Sequence, residues 1–201
     1  MRIILASKSP RRKEIMSLIT PNFEIRSEDV NERAIEANIL AGGGTPDNVQ
    51  RELARAKASA VFASLPINER NESIVIGADT CVVCGDAILG KPADKDEARK
   101  MLHMLCGKTH EVITGVCVKS PSFEQVFTEV TKVKFGVLDS FQEELIERYI
   151  NTDEPYDKAG AYGIQNGGAL LVDTVEGDYF NVVGLPVRRL SMVLGHLHIG
   201  Y

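Results

Sequence analysis

The 201-residue sequence is short of the features that mark several large protein classes. Aromatic residues make up only 6% of it, and the formal net charge is −5. A module that grips nucleic acid needs a basic stripe interleaved with stacking aromatics, so that class is disfavoured. Nor is a net-acidic chain drawn as a whole to anionic membrane; any polyanion must be held by a local cluster of cations. No apolar run approaches the roughly 18–20 residues that a membrane span requires. The opening Met1-Arg2-Ile3-Ile4-Leu5-Ala6 is basic and then apolar, but too briefly for a signal peptide, so a cytoplasmic, reducing compartment is expected. Histidines number four: His103 and His110 have no metal-type spacing, and His196 and His198 are expected in the last turn of a terminal helix. Cysteines also number four. Cys81 and Cys84 have redox or zinc spacing, yet on a strand they point to opposite faces, so buried structural thiols are expected.

What remains is ordinary for a globular protein, with 44% hydrophobic and 25% charged residues. Ile3 to Ala6 reads as a strand, and Ser9-Pro10 as the N-cap and first turn of a helix through Ile15, Leu18 and Ile19. Phe23 to Arg26 reads as a second strand. An acidic loop from Glu28 to Glu36 then runs into Gly42-Gly43-Gly44. Thr45-Pro46 opens a long helix to about Ser64, with Val49, Leu53, Ala56 and Ala60 along one face. Ile74 to Cys84 is a strand that turns back at Gly85-Asp86. Asp94 and Glu97 form a capping pattern for a helix through Leu105, stopped by Gly107. Val112–Val118 and Val126–Val137 predict a hairpin across Ser120-Pro121-Ser122. Phe141 to Ile150 is helical, and Glu154 to Ala169 is a glycine-rich loop. Leu170–Val175 and Tyr179–Val183 predict another hairpin, and Pro186 starts a terminal helix. Alternating helices and strands with antiparallel hairpins give an α/β class: a mixed, partly antiparallel sheet flanked by helices. No repeat or clear linker divides the chain, so one domain over 1–201 is expected.

The strongest chemical signal is the run Lys8, Ser9, Arg11, Arg12 and Lys13. A helix N-terminus already carries about half a positive charge, and each misplaced cation costs roughly 0.3–1 kcal/mol. The run is either a solvated basic helix end or a phosphate site. Its place just beyond a strand in a net-acidic protein favours the phosphate site. Asp79 stands in an apolar stretch, Ile74 to Val82, where a carboxylate must be paired, metal-bound or functional. By residue type it is equally a general base for water or the partner of a structural cation. Gly90-Lys91-Pro92 is a phosphate ligand or an ordinary turn. Lys57 reads as a snorkelling helix lysine, and Glu32 as a solvated loop residue. In Asp157 to Gln165, glycines permit a close backbone approach and Gln165 offers both a donor and an acceptor to a base edge. That stretch matches neither the P-loop nor the dinucleotide fingerprint.

Five of these stretches, in order, resemble the motifs of the Maf-like nucleotide pyrophosphatase family, of the type directed at dTTP and UTP. They are Leu5-Ala6-Ser7-Lys8-Ser9-Pro10-Arg11-Arg12, Leu53-Ala54-Arg55-Ala56-Lys57, Gly77-Ala78-Asp79-Thr80, Gly90-Lys91-Pro92 and Asp157 to Gln165. The resemblance implies an elongated fold like that of inosine triphosphatases, with a cleft between two lobes. It further implies hydrolysis between the α and β phosphates, a divalent cation (Mg²⁺, Mn²⁺ or Co²⁺) and a homodimer. By it, Asp79 is the general base, with Lys57 and Lys91 as catalytic partners. Ser7, Ser9, Arg11 and Arg12 bind the triphosphate; Arg11, Thr80 and Gln165 set base preference; Glu32 joins Asp79 as a metal ligand. The 7-methyl-GTP subfamily has a serine–glutamate pair near the place of Ile164-Gln165. A non-catalytic nucleotide-binding regulator, or a purine-directed or 7-methyl-GTP-directed enzyme of the same fold, is the alternative.

Overall fold

The computed structural model describes residues 1–197, so the expectation for His198 lies outside the described residues. In chain order the first half holds β1 (Arg2–Ala6), α1 (Pro10–Ile19), β2 (Glu24–Arg26), α2 (Glu32–Ala41), α3 (Pro46–Ser64) and α4 (Ile67–Arg70). It continues with β3 (Ser73–Cys84), β4 (Ala87–Leu89), α5 (Lys95–Leu105), β5 (Thr109–Lys119) and β6 (Glu124–Phe135). Then follow α6 (Ser140–Tyr149), three short 3-10 turns, β7 (Val172–Glu176), α7 (Tyr179–Val183) and α8 (Val187–His196). The strands are ordered β2-β1-β3-β5-β6-β7, with β4 paired to β3. β1 runs parallel to β2 and β3, while β3–β4 and β6–β7 are antiparallel. The class is therefore α/β with a mixed sheet flanked by helices, as the sequence pattern predicts. Among the described residues no helix is long and apolar enough to cross a membrane.

Two compact units share the chain, and the division in β3 falls between Asp79 and Thr80. The first comprises Met1–Asp79, Thr114–Glu129 and the chain from Gly184 on. Its core joins Ile4 and Ala6 of β1, Val75 of β3 and Cys117 of β5 to Ala54, Ala58 and Val61 of α3. The buried face of α3 thus runs through Ala54, Ala58 and Val61, and the expected Ala56 and Ala60 are only half-buried. Small residues on that face let the helix backbone settle close to the strands, which the plain apolar period does not specify. Thr45 caps α3 through a reciprocal pair with Asn48.

The second unit comprises Thr80–Ile113 and Val130–Val183. Its core gathers Leu102 and Leu105 of α5, Ile146 of α6, Phe135 of β6 and Tyr162. Asp94 caps α5 through the Glu97 amide, and Gly107 leaves it at φ +67°. All four cysteines of the chain are free and buried, and burial pushes the Cys117 thiol up to about 12.

Two expectations fail. The acidic loop from Glu28 to Glu36 is in its second half the start of α2, where the Asn31 side chain accepts from the Ala34 amide at 3.1 Å. No residue of α2 is buried, so the hydrophobic pattern had nothing to register. Tyr179–Val183 is a helix and not the second arm of a hairpin. Asp178 Oδ1 accepts from the amides of Phe180 (2.8 Å) and Asn181 (3.3 Å), and Asn181 Nδ2 donates to the Val112 carbonyl and Thr131 Oγ1, each at 3.0 Å. That capping overrides β-propensity, and β7 pairs with β6 instead.

His110 is buried in the second unit, edge-on to Phe135 and Tyr162, with Nε2 2.7 Å from the Tyr162 hydroxyl. Its Nδ1 has no hydrogen-bond partner. Burial lowers its pKa from 6.5 to about 4, so the neutral ring is the folded form. Because the folded value lies below the unfolded one, the linked stability is full above pH 6.5 and is lost as pH falls toward 4. Such a shift corresponds to on the order of 3 kcal/mol. Urea midpoints across pH 7 to 4 should therefore fall in wild type and fall less in His110→Gln; equal slopes would remove His110 as the cause.

Candidate active site

The first unit places the ends of two neighbouring strands side by side. In the parallel register Ala6 of β1 lies opposite Gly77 of β3 and Arg26 of β2. The segments leaving β1 and β2 at their carboxyl ends therefore emerge on one edge, where open α/β sheets hold ligands, and β3 runs on past that level to Cys84. The first carries Ser7 to Arg12, the second leads to Glu32, and Asp79 lies within β3, two residues beyond Gly77.

Ser7 is buried, and its Oγ accepts from the Ser9 amide at 3.2 Å. Ser9 Oγ accepts from the Arg12 amide at 3.4 Å and caps α1, with Pro10 in the first turn. The capping pattern read from Ser9-Pro10 is thus present. The first turn of α1 holds no acidic residue, while Arg11, Arg12 and Lys13 occupy it. Lys8 is exposed, 3.9 Å from Asp29. Arg12 turns inward: Nε donates to the Gly184 carbonyl at 2.8 Å and Nη1 to the Ala78 carbonyl at 2.9 Å. Desolvation lowers its pKa, and the nearby charge of Asp79 works against that shift, joined by Glu32 and opposed by Arg11. Arg11, Arg12, Glu32 and Asp79 therefore share one electrostatic neighbourhood.

Lys57 completes it. From α3 its Nζ reaches Asp79 Oδ1 at 2.5 Å and Glu32 Oε1 at 2.8 Å. The Lys57 and Asp79 side chains retain 18% and 16% exposure, so this pair is far less hydrated than the surface bridges around it. Lys57 is no snorkelling residue and Glu32 is not simply solvated: both carboxylates meet on the Lys57 ammonium. Gly77 makes the approach possible. A Cβ there would stand 2.3 Å from the Ala54 carbonyl oxygen and 2.7 Å from the Ala58 amide nitrogen. The backbones of α3 and β3 thus touch two residues before Asp79 and one turn around Lys57.

Two carboxylates whose oxygens meet on one small cation also suit a divalent ion. Mg²⁺ at nucleotide sites takes one or two carboxylates and completes its shell with phosphate and water oxygens. Among the described residues no cluster of three or more His, Cys, Asp or Glu side chains is arranged for a metal. Glu32 and Asp79 offer two carboxylates, a number that such an ion takes from a protein.

The second unit holds Thr80, Lys91 and Gln165. Thr80 is half-buried and follows Asp79 directly in β3; Lys91 is exposed just after β4. The Gly90 carbonyl accepts from the Gly160 amide at 3.0 Å, which ties the Lys91 turn to the glycine-rich segment. Gly160 has φ +68°, a left-handed conformation suited to glycine. Gln165 is half-buried and extended, directly before the 3-10 turn Asn166–Leu171. A Cβ on Gly168 would come within 2.1 Å of the Gly163 carbonyl oxygen, so the chain around Gln165 closes on itself.

Sequence reading missed the Gly77 contact and the Arg12 partners. A glycine inside an apolar strand was the available signal for the former. For the latter none exists, since Gly184 lies 172 residues from Arg12.

The Maf-like protein family profile matches residues 2–197. A dTTP/UTP pyrophosphatase of Clostridioides difficile (strain 630) is 45% identical over 196 residues, 96% of this chain and 94% of that one. One from Geobacillus sp. (strain WCH70) is 47% identical over 188 residues, 94% of each chain. One from Aquifex aeolicus (strain VF5) is 42% identical, covering 99% of this chain and 97% of its own. Among solved structures, the Staphylococcus aureus Ham1 protein aligns at a TM-score of 0.53 and 14% identity, over 98% of this chain and 100% of that one. That likeness speaks for the fold alone.

The Gly77 contact can be tested directly. Gly77→Ala should lose about 1–3 kcal/mol in urea unfolding, as overpacking against backbone does. Wild-type stability would mean that α3 can retreat from β3 without cost.

Proposed function

The chain belongs to the Maf-like protein family, and from this premise we propose that it is a nucleoside triphosphate pyrophosphatase acting on dTTP and UTP. In this reading a single domain over 1–201, assembled as a cytoplasmic homodimer, releases the nucleoside monophosphate and pyrophosphate. The observation that carries the chemistry is Asp79, held by Lys57 beside the cationic, serine-capped start of α1. The names of relatives at 42–47% identity over nearly the whole chain support the substrate class. Four free cysteines agree with a reducing compartment.

The triphosphate meets the amides at the start of α1, the hydroxyls of Ser7 and Ser9, and the guanidinium of Arg11. This is the anion site that the cations at that helix end otherwise make costly. By the family motifs, Lys91 is assigned to phosphate, and Gln165 with Thr80 to the pyrimidine. Asp79 takes the proton from a water whose oxygen attacks the α-phosphorus. The bond between the α-phosphorus and the bridging oxygen breaks, and pyrophosphate leaves with that oxygen. Charge spreads over the phosphate oxygens as the bond opens, and Lys57 and Arg11 oppose it with fixed positive charge. Glu32 and Asp79 would hold a divalent cation (Mg²⁺, Mn²⁺ or Co²⁺), which when bound supplies further neutralisation of the phosphates.

The decisive assay follows pyrophosphate and single phosphate from a panel of nucleoside triphosphates, with Mg²⁺, Mn²⁺ or EDTA, for wild type and Gln165→Ala. Metal-dependent pyrophosphate from dTTP and UTP, with little from purines and a blurred preference in the variant, is expected. Single phosphate would refute α–β cleavage, and binding without turnover would make the protein a regulator. Asp79→Asn should lower kcat by roughly 10²–10⁴-fold with little change in nucleotide affinity. Turnover at the wild-type rate in that variant would strike Asp79 from the mechanism.

A further inference from the structure

We propose that Arg12 is a positioning residue, which orients Asp79 by holding the peptide group that precedes it. The inference rests on the hydrolytic reading above and sharpens it. Sequence alone assigns Arg12 to phosphate, as a neighbour of Arg11 in a cationic run. The geometry points elsewhere for two of its nitrogens. Nη1 donates to the carbonyl of Ala78, and that carbonyl belongs to the same planar peptide as the amide nitrogen and Cα of Asp79. Fixing the oxygen therefore fixes the plane from which the Asp79 side chain departs. Nε of the same rigid fork donates to Gly184, the residue just before Leu185-Pro186 and α8. Gly184 stands at φ +131°, a conformation that side chains avoid. One guanidinium thus ties three stretches of the first unit together: the first turn of α1, the end of the buried half of β3, and the turn that leads into α8.

The choice of residue fits this task. Lysine offers a point charge on a flexible stem and cannot hold two carbonyls in a fixed plane, whereas arginine can. Ala78 itself is fully buried, so its carbonyl has no recourse to bulk water if the guanidinium is removed. The charge of Arg12 also lies near Asp79 and Glu32, so the brace adds positive potential beside the two carboxylates that share Lys57. Lys57 grips Asp79 from the side-chain end and Arg12 from the backbone end.

The test compares Arg12→Lys and Arg12→Met with Arg11→Lys. It measures kcat, the affinity for a non-hydrolysable dTTP analogue, inhibition by pyrophosphate, and the thermal midpoint. A displaced catalytic group costs up to about 10²-fold in rate, so kcat should fall ~10–10²-fold while both affinities stay within about threefold. Arg12→Lys, which keeps one donor, should retain more activity than Arg12→Met, and Arg11→Lys should weaken binding instead. Weakened binding with kcat preserved in the Arg12 variants would overturn the proposal in favour of a phosphate ligand. A lower thermal midpoint with kcat and binding both preserved would overturn it in favour of a purely structural brace. The amide resonance of Asp79, recorded on the nucleotide-free full chain, gives a readout that needs no turnover. It should move in Arg12→Lys, and an unmoved resonance would overturn the proposal even if wild type released no pyrophosphate. Wild type without pyrophosphate release, but with that resonance displaced in the variant, would fault the hydrolytic reading alone.

Discussion

Lys57 holds two carboxylates that the chain brings from separate elements, and much of the first unit serves that meeting. Taking charges out of water costs several kcal/mol each, and a buried pair repays this only with close geometry. For stability alone, an apolar trio in the same volume would do as well. What the arrangement secures instead is a carboxylate at a fixed place beside a cationic helix start. The constraint reaches back into the backbone. α3 can deliver Lys57 to Asp79 only because Gly77 lets helix and strand touch, with less than one side chain's thickness between them. Gly115 does the same on β5, where a Cβ would stand 2.2 Å from the Gln50 carbonyl oxygen. The helix is therefore set at two points on the sheet, and Lys57 lies in the turn from Ala54 to Ala58 that meets Gly77.

The start of α1 obeys the same logic. Ser7 and Ser9 use their oxygens to satisfy amides that the helix leaves unpaired, a normal capping arrangement. The charges around those caps are the reverse of what a helix N-terminus prefers. Arg12 resolves part of this by spending donors on carbonyls within the unit. The remaining positive potential is a standing cost to the fold that a bound anion would remove. Parallel pairing of β1 with β3 puts this end of the helix near Asp79, so the proposed anion site and the carboxylate come from neighbouring strands of one sheet.

How much of this could be read beforehand depends on the range of the interaction. Ser9-Pro10, Thr45-Pro46 and Asp94 announce their helices because capping is settled within four residues. β3 and its return at Gly85-Asp86 are legible for the same reason. α2 and α7 were missed although Asn31 and Asp178 cap them in the same way. α2 buries no residue, and α7 is built from residues with strand propensity, so the hydrophobic pattern pointed elsewhere. The candidate site divides along the same line. Asp79 stood out as a carboxylate in an apolar strand, and the cations after β1 as misplaced charges. Glu32 and Lys57 looked ordinary, because their significance lies in a meeting that no local spacing encodes.

Arg12 shows why residue type alone misleads inside a functional motif. Adjacent arginines on a helix point about 100° apart, so two neighbours in one cationic run cannot face the same ligand in the same way. One of them turned inward, where the carbonyls of Ala78 and Gly184 require donors. A motif dense in cations is therefore compatible with two physical tasks, binding an anion and bracing the backbone that presents the reacting group. In the proposed triphosphate site both matter: without the brace, the charges would hold substrate before a carboxylate free to wander by the ångström that costs most of the rate.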